Sequence, residues 1–348
     1  MAAAVPSWSP YLKGAACGLA AASIWASWSA FTRVAVTTGL DGWDIAALRF
    51  GVAGLVLSPV LLRRGLARDR VGWTGLSVMI AGAGAPYALL AATGLRFAPA
   101  GDQGALNPGC VPLFVAPIAA VVLRDALSTG QKVGLGLMLA GVAVIVGKSA
   151  AAWDAWRGLG HLLVLTAALF WAAFTVAMHR ARIEALHAAA LVSTGSLLLY
   201  LPIYVAVRWP PFAHLTPMQL AFQAPFQGLL VTVVSLVLYG RAVEALGATR
   251  GAAFGALVPA LSAVFAIPLL GEWPSPNGWA AIILISAGVY LASGGRLPRI
   301  AADRMVSAAK DYIRPAQTSG AIDGLDPRRC GECRMDLRRA VLRARRRS

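Results

Sequence analysis

Residues able to bind a ligand lie in this chain as short stripes at helical spacing, inside stretches that are otherwise apolar. Gln103, Asn107, Cys110 and Phe114 are separated by four, three and four residues, so one helical face carries two amides, a thiol and an aromatic ring. Trp25, Ser29 and Thr32 share a second face, with Trp28 deep in the same stretch, and Trp171 and Thr175 repeat the pattern far downstream. Thr232, Ser235 and Tyr239 form a further stripe. Aromatic walls carrying a few hydroxyls and amides suit a small organic molecule with an apolar part. The alternative is packing alone, with each Ser or Thr bonded to its own helix. Arg49 is a cation inside an apolar run, one turn from its start. Its guanidinium could clamp a carboxylate or reach out to a membrane interface.

Bond-making chemistry finds no comparable pattern. His161, His179, His187 and His214 are scattered without metal-ligand or zincin spacing. Cys330-Gly331-Glu332-Cys333 is a lone CxxC, whereas structural zinc takes a second pair or histidines. The sequence therefore predicts no catalytic residue, no metal and no cofactor. Asp102, Glu244, Asp125 and Glu272 stand near the ends of apolar runs. Asp125 and Glu272 are expected to fix the turn before the next helix, and a proton site at Asp102 or Glu244 stays open.

The elements that must position these stripes are membrane helices. Hydrophobic residues make up 58% of the chain and charged residues 13%, with a mean hydropathy of +0.67. A soluble domain carries about 25% charged residues, so this chain lacks the surface that water requires. Runs long enough for a bilayer core recur at 14–32, 45–62, 72–92, 102–123, 131–147, 158–178, 186–207, 224–240, 247–270 and 277–293. The spacing predicts an all-α integral membrane protein with ten transmembrane helices. Residues 1–13 are too short and too weakly charged for a cleaved signal, so the first run is read as a retained helix.

The runs are written twice. At an offset of 146, Gly14 meets Gly160 and Trp25 meets Trp171; at 147, Pro112 meets Pro259, Asp125 meets Glu272 and Gly141-Val142 meets Gly288-Val289. The matched Trp and Pro weigh more than matched Ala or Gly, which recur by composition. Pro112 and Pro259 each fall near the middle of a run, where a proline removes a hydrogen bond and frees the carbonyl four residues earlier, at Pro108 and Gly255. Such prolines mark a binding site in a duplicated membrane chain, or they only kink packed helices. In the second copy Arg250, Phe254, Leu257 and Leu261 occupy the places of the amide face. With the N-terminus inside, eleven Lys and Arg fall on the cytoplasmic side before residue 295 and five on the outer side. Five helices per copy turn the second copy upside down, an inverted repeat suited to alternating access.

The repeat ends "VPLFVAPIAAVVLRDALSTGQKVGLGLMLAGVAVIVG" and "VPALSAVFAIPLLGEWPSPNGWAAIILISAGVYLASG" resemble the EamA family of the drug/metabolite transporter superfamily. The mid-helix Pro, the Leu-Gly-Glu-like helix end and the Gly-Val of the next helix carry the resemblance. Arg124-Asp125 departs from the Gly-Glu of that pattern, and Leu48-Arg49-Phe50 matches a recurrent second-helix pattern that the second copy lacks. The resemblance implies two EamA-type repeats and transport of a small organic metabolite such as an amino acid, more often outward. It leaves the substrate, the direction and the coupling ion open.

The expected organisation is a cytoplasmic N-terminus at 1–13, a first repeat at 14–147, a linker at 148–157, a second repeat at 158–294 and a tail at 295–348. That tail holds 14 of the 31 basic residues against six acids. Leu337, Val341 and Leu342 among its arginines suggest a short basic amphipathic helix on anionic lipid, within a largely disordered segment. Inside-facing loops and this tail account for the net charge of +16, so nucleic acid is not an expected partner. The expected partners are a small-molecule substrate and the bilayer, and a homodimer is compatible with both. The expected location is a bacterial-type inner membrane with both termini cytoplasmic. A lipid-handling protein is the competing class, and it would need a reactive cluster near one membrane face.

Overall fold

A computed structural model describes residues 10–122, 127–151, 154–246 and 254–293. Arg124, Asp125, Arg250, Cys330, Cys333 and the tail that begins at 295 lie outside those residues. Every regular element among the described residues is helical. In the first half these are α1 (Pro10–Thr37), α2 (Gly42–Arg64), α3 (Arg68–Ala83), α4 (Ala85–Phe97), α5 (Ala100–Leu106), α6 (Val111–Val122) and α7 (Thr129–Ala151). The second half holds α8 (Ala155–Ala181), α9 (Ala185–Val207), α10 (Pro217–Ala224), a π-helix (Pro225–Val234), α11 (Ser235–Leu246), a 3₁₀ turn (Phe254–Leu257), α12 (Val258–Leu270) and α13 (Pro276–Ala292).

Seven described stretches are long and apolar enough to cross a membrane: 42–64, 68–97, 100–122, 129–147, 155–181, 185–207 and 217–243. Two shorter apolar stretches, Phe254–Leu270 and Pro276–Ala292, follow them. At 28 residues α1 has the length, but the Trp and Ser residues spread along it dilute its apolar character. Three of those residues, Trp25, Trp28 and Ser29, turn their polar atoms to partners on other helices.

Helix packing repeats under exchange of the halves. The pair α1–α11 is answered by α4–α8, and α1–α12 by α6–α8, while α2–α9 and α7–α13 each join an element to its own counterpart. The α7–α13 seam brings backbone against backbone. A Cβ on Gly134 would stand 2.6 Å from the Gly288 carbonyl, and one on Gly288 would stand 2.6 Å from the Gly134 carbonyl. Small residues let two membrane helices approach to backbone contact, where dispersion and weak polar contacts replace the hydrophobic drive that lipid cannot supply.

Several expected straight helices are broken. The run at 72–92 divides at Gly84, where a Cβ would collide at 2.2 Å with the Ile80 carbonyl and with Ser196 Oγ. That hydroxyl accepts the Ala85 amide across the break at 3.1 Å. The run at 102–123 is interrupted at Asn107–Cys110 by turns, with Cys110 N donating to the Asn107 carbonyl at 3.3 Å. Pro112 is therefore the second residue of α6 and Pro259 the second of α12. Neither sits in mid-helix as the sequence suggested. A proline in the first turn sacrifices no helical hydrogen bond, so the chain ends one helix upstream and starts another at the proline.

Candidate functional site

The broken helices and the Trp-bearing helices meet at the centre. Arg49 of α2 is buried, at 7% exposure. Its guanidinium carbon lies 5.9 Å from the Trp28 ring of α1, 5.6 Å from Phe50 and 6.0 Å from Tyr87 of α4. Three aromatic faces offset part of the cost of burying a cation. Among the described residues Arg49 has no carboxylate within ion-pair distance, and its Nε is buried without a hydrogen-bond acceptor. The Arg49 side chain thus does not reach out to an interface, which was one of its two sequence-based alternatives.

Tyr87 joins this cation to the break between α5 and α6, since Asn107 Nδ2 donates to the Tyr87 hydroxyl at 3.1 Å. One turn earlier, Gln103 accepts the Ser29 hydroxyl on its Oε1, while its buried Nε2 has no acceptor. Trp28 Nε1 donates to Gln227 Oε1 at 2.8 Å, and Gln227 Nε2 donates to Thr32 Oγ1 at 3.1 Å and to Gln223 Oε1 at 3.0 Å. Gln227 lies in the π-helix and Gln223 one turn earlier in α10, a spacing of four that sets them side by side under α1. α1, α2, α4, α5 and the π-helix thus assemble one polar cluster walled by aromatic rings.

Two Trp–Tyr contacts frame it symmetrically. Trp171 of α8 packs on Tyr87 at 4.9 Å between ring centroids, and Trp25 of α1 packs on Tyr239 of α11 at 5.3 Å. Trp25 Nε1 also donates to Ser235 Oγ at 2.8 Å. The matched tryptophans of the two copies thus each take a tyrosine from the opposite copy. Phe254 closes the Trp25 side. Its ring lies where a Cβ on Gly18 would sit, 2.6 Å away, and Pro259 is buried close behind it.

Other members of the expected stripes go elsewhere. The break at 107–110 ends the helical face assumed for 103–114. Cys110 and Phe114 belong to a separate apolar cluster with Met138 and Ile285. Thr175 Oγ1 donates to the carbonyl of Trp171 in its own helix at 2.8 Å, and Thr232 does the same to Gln227 at 2.9 Å. Tyr87 and Gln227 were not singled out in the sequence: Tyr87 is an isolated polar group in an apolar run, and Gln227, though spaced by four from Gln223 and Gln219, went unread as a stripe. Their signal is a partner on a distant helix.

Charged contacts between the halves gather where the turns at 38–41, 98–99, 208–216 and 271–275 meet. Glu272 takes Arg33 Nε at 2.9 Å and the Ala100 amide at 2.8 Å, so it reaches across to the first half rather than fixing its own turn. Asp102 takes Arg157 at 2.6 Å and His161 at 3.0 Å, and Asp41 takes Arg208. Asp44, fully buried, accepts the Tyr204 hydroxyl at 2.7 Å on one oxygen. Its other oxygen meets His214 at 3.0 Å and the Asp41 amide at 2.9 Å. His161 and His214, scattered in sequence, are both carboxylate partners. Among the described residues no group of three His, Cys, Asp or Glu could hold a metal ion.

The EamA-like transporter family profile matches residues 12–147 and again 158–294. A probable terminal-alkyne amino-acid exporter of Streptantibioticus cattleyicolor is 30% identical over 285 residues, covering 76% of this chain and 89% of that protein. A solved crystal structure superposes with a TM-score of 0.55 at 21% identity, over 81% of this chain and 96% of its own, a likeness of fold alone. Two family matches in tandem and helix packing that repeats between the halves lead to one conclusion: the chain belongs to the EamA-like transporter family, a membrane transporter of small metabolites and not an enzyme.

Proposed function

We propose that this protein exports small organic metabolites, amino acids or related compounds, by alternating access around the cluster between its halves. The observation that carries this reading is the aromatic-walled cluster itself. It draws residues from both halves and keeps the buried Arg49 Nε and Gln103 Nε2 without hydrogen-bond acceptors. The substrate-contacting residues in this reading are Trp25, Trp28, Ser29, Arg49, Gln103, Asn107, Trp171 and Tyr239. Phe254 flanks the same region from the second half, Arg250 is included on its sequence position alone, and Pro112 and Pro259 set the helix breaks.

The reading counts ten crossings: the seven apolar stretches, α1 and the two shorter apolar stretches. In this reading the family's two matches hold five crossings each, the second copy runs upside down, and the two copies rock about a shared site. The excess of Lys and Arg on one side supports a plasma-membrane protein with both termini in the cytoplasm and its basic tail on anionic lipid. The S. cattleyicolor relative supports both an amino-acid-like substrate and outward movement.

The test is counterflow in proteoliposomes loaded with amino acids, sugars or nucleosides. Saturable exchange of one class is expected in wild type, and its loss in Asn107→Ala and Trp25→Ala, with both variants folded. Exchange that survives both substitutions removes the site and leaves a carrier. Absence of exchange for every class rejects the metabolite reading.

A further inference from the structure

The charge balance of the central cluster distinguishes among organic substrates. Arg49 brings one positive charge into a site walled by Trp28, Phe50 and Tyr87. The acids around it are already engaged. Asp44, on the same helix, has both oxygens occupied by Tyr204, His214 and the Asp41 amide, and Asp102 is held by Arg157 and His161. The second unpartnered buried group, Gln103 Nε2, is also a donor. Gln103 is tied through Ser29 to the helix of Trp28, and lies one turn from Asn107, which bonds Tyr87. Two donors without acceptors thus flank one Trp28–Tyr87 wall, and the described residues of that wall include no free carboxylate.

A guanidinium fork and an amide N–H are together complementary to a carboxylate, which accepts from both at once. An ammonium would meet only neutral acceptors there, beside a fixed cation. We propose that Arg49, with Gln103, is the carboxylate subsite of the transport site, so that the protein selects its substrates by their carboxylate and gains little from their amino group. This inference rests on the metabolite-transport reading above. It makes Arg49 the residue that decides which metabolites are taken, and makes decarboxylated amines and esters poor ligands. Deaminated acids remain good ones.

The experiment uses the full chain in proteoliposomes with four matched probes: norleucine, hexanoate, pentylamine and norleucine methyl ester. Each is offered as competitor against exchange of the amino acid or acid that wild type carries. Hexanoate is expected to compete within a few-fold of norleucine, and pentylamine and the ester at least about tenfold more weakly, the loss expected for a hydrogen-bonded charge. Arg49→Gln should abolish this discrimination, with Arg49→Lys restoring part of it. A buried cation without a counter-ion does not stabilise the empty protein, so Arg49→Gln should keep or raise the melting temperature. Equal competition by pentylamine and hexanoate overturns the proposal, as does a folded Arg49→Gln that still discriminates. A fall in melting temperature for Arg49→Gln assigns the side chain a structural role instead and also overturns it. If wild type exchanges none of the compounds, the transport reading fails first and takes this inference with it.

Discussion

The two ends of the helix bundle hold the halves together in different ways. At the Asp41 end, four carboxylates reach across from one half to the other: Asp41, Asp44, Asp102 and Glu272. They meet Arg208, Tyr204, His214, Arg157, His161 and Arg33, and most of these contacts are half-buried or buried. At the Arg64 end the described ion pair between halves is Arg64–Glu184, with side chains 40% and 64% exposed. His187 adds a hydrogen bond to the Gly65 carbonyl. An exposed pair of that kind contributes about 0–1 kcal/mol and is screened by salt, whereas groups cut off from water are costly to unpair. The lesson is that the family's symmetry governs the helices but not their fastening.

Breaking this contrast should cost most at Asp44. Asp44→Ala leaves the Tyr204 hydroxyl buried without its acceptor and removes the partner of His214, a loss of about 3 kcal/mol read as a lower melting temperature. Glu272→Gln keeps the size of the side chain and removes its charge from Arg33. It should cost about 1–2 kcal/mol and speed hydrogen exchange of the amides at 98–104, since the Ala100 amide loses a charged acceptor. Arg64→Ala should change stability by no more than about 0.5 kcal/mol, with exchange at 98–104 unaltered. A drop for Arg64→Ala as large as that for Glu272→Gln would erase the distinction between the ends.

Much of the helix layout was legible because burial in a membrane leaves a long apolar trace, and because the duplication repeats rare residues. Trp25 and Trp171, and Pro112 and Pro259, are matched in sequence and take matched places in the packing. The breaks were less legible. A proline reports that a helix cannot continue through it, yet not where the upstream helix ends, and Asn107–Cys110 is settled by what packs there. Within the candidate site, Trp28, Ser29, Arg49, Gln103 and Asn107 do converge. Phe114 and Thr175 do not, because a stripe assumes an unbroken helix or a hydroxyl that turns outward. Tyr87 escaped notice because nothing local distinguishes it; the Gln223–Gln227 spacing was a local signal left unread, and its partner Trp28 lies 199 residues away in the chain.

The seam between α7 and α13 has a meaning beyond packing. Gly134 touches the backbone at Gly288, and the equivalent positions under the duplication, Ala281 and Gly141, touch as well, at 2.9 Å from a Cβ on Gly141 to the Ala281 carbonyl. That reciprocity is the mark of an isologous surface, the kind by which two identical subunits pair. A single chain here carries a dimer interface folded onto itself. Either half of the seam is the mould for the other, so drift in one copy is constrained by the shape of its twin, long after the rest of the halves have been free to diverge.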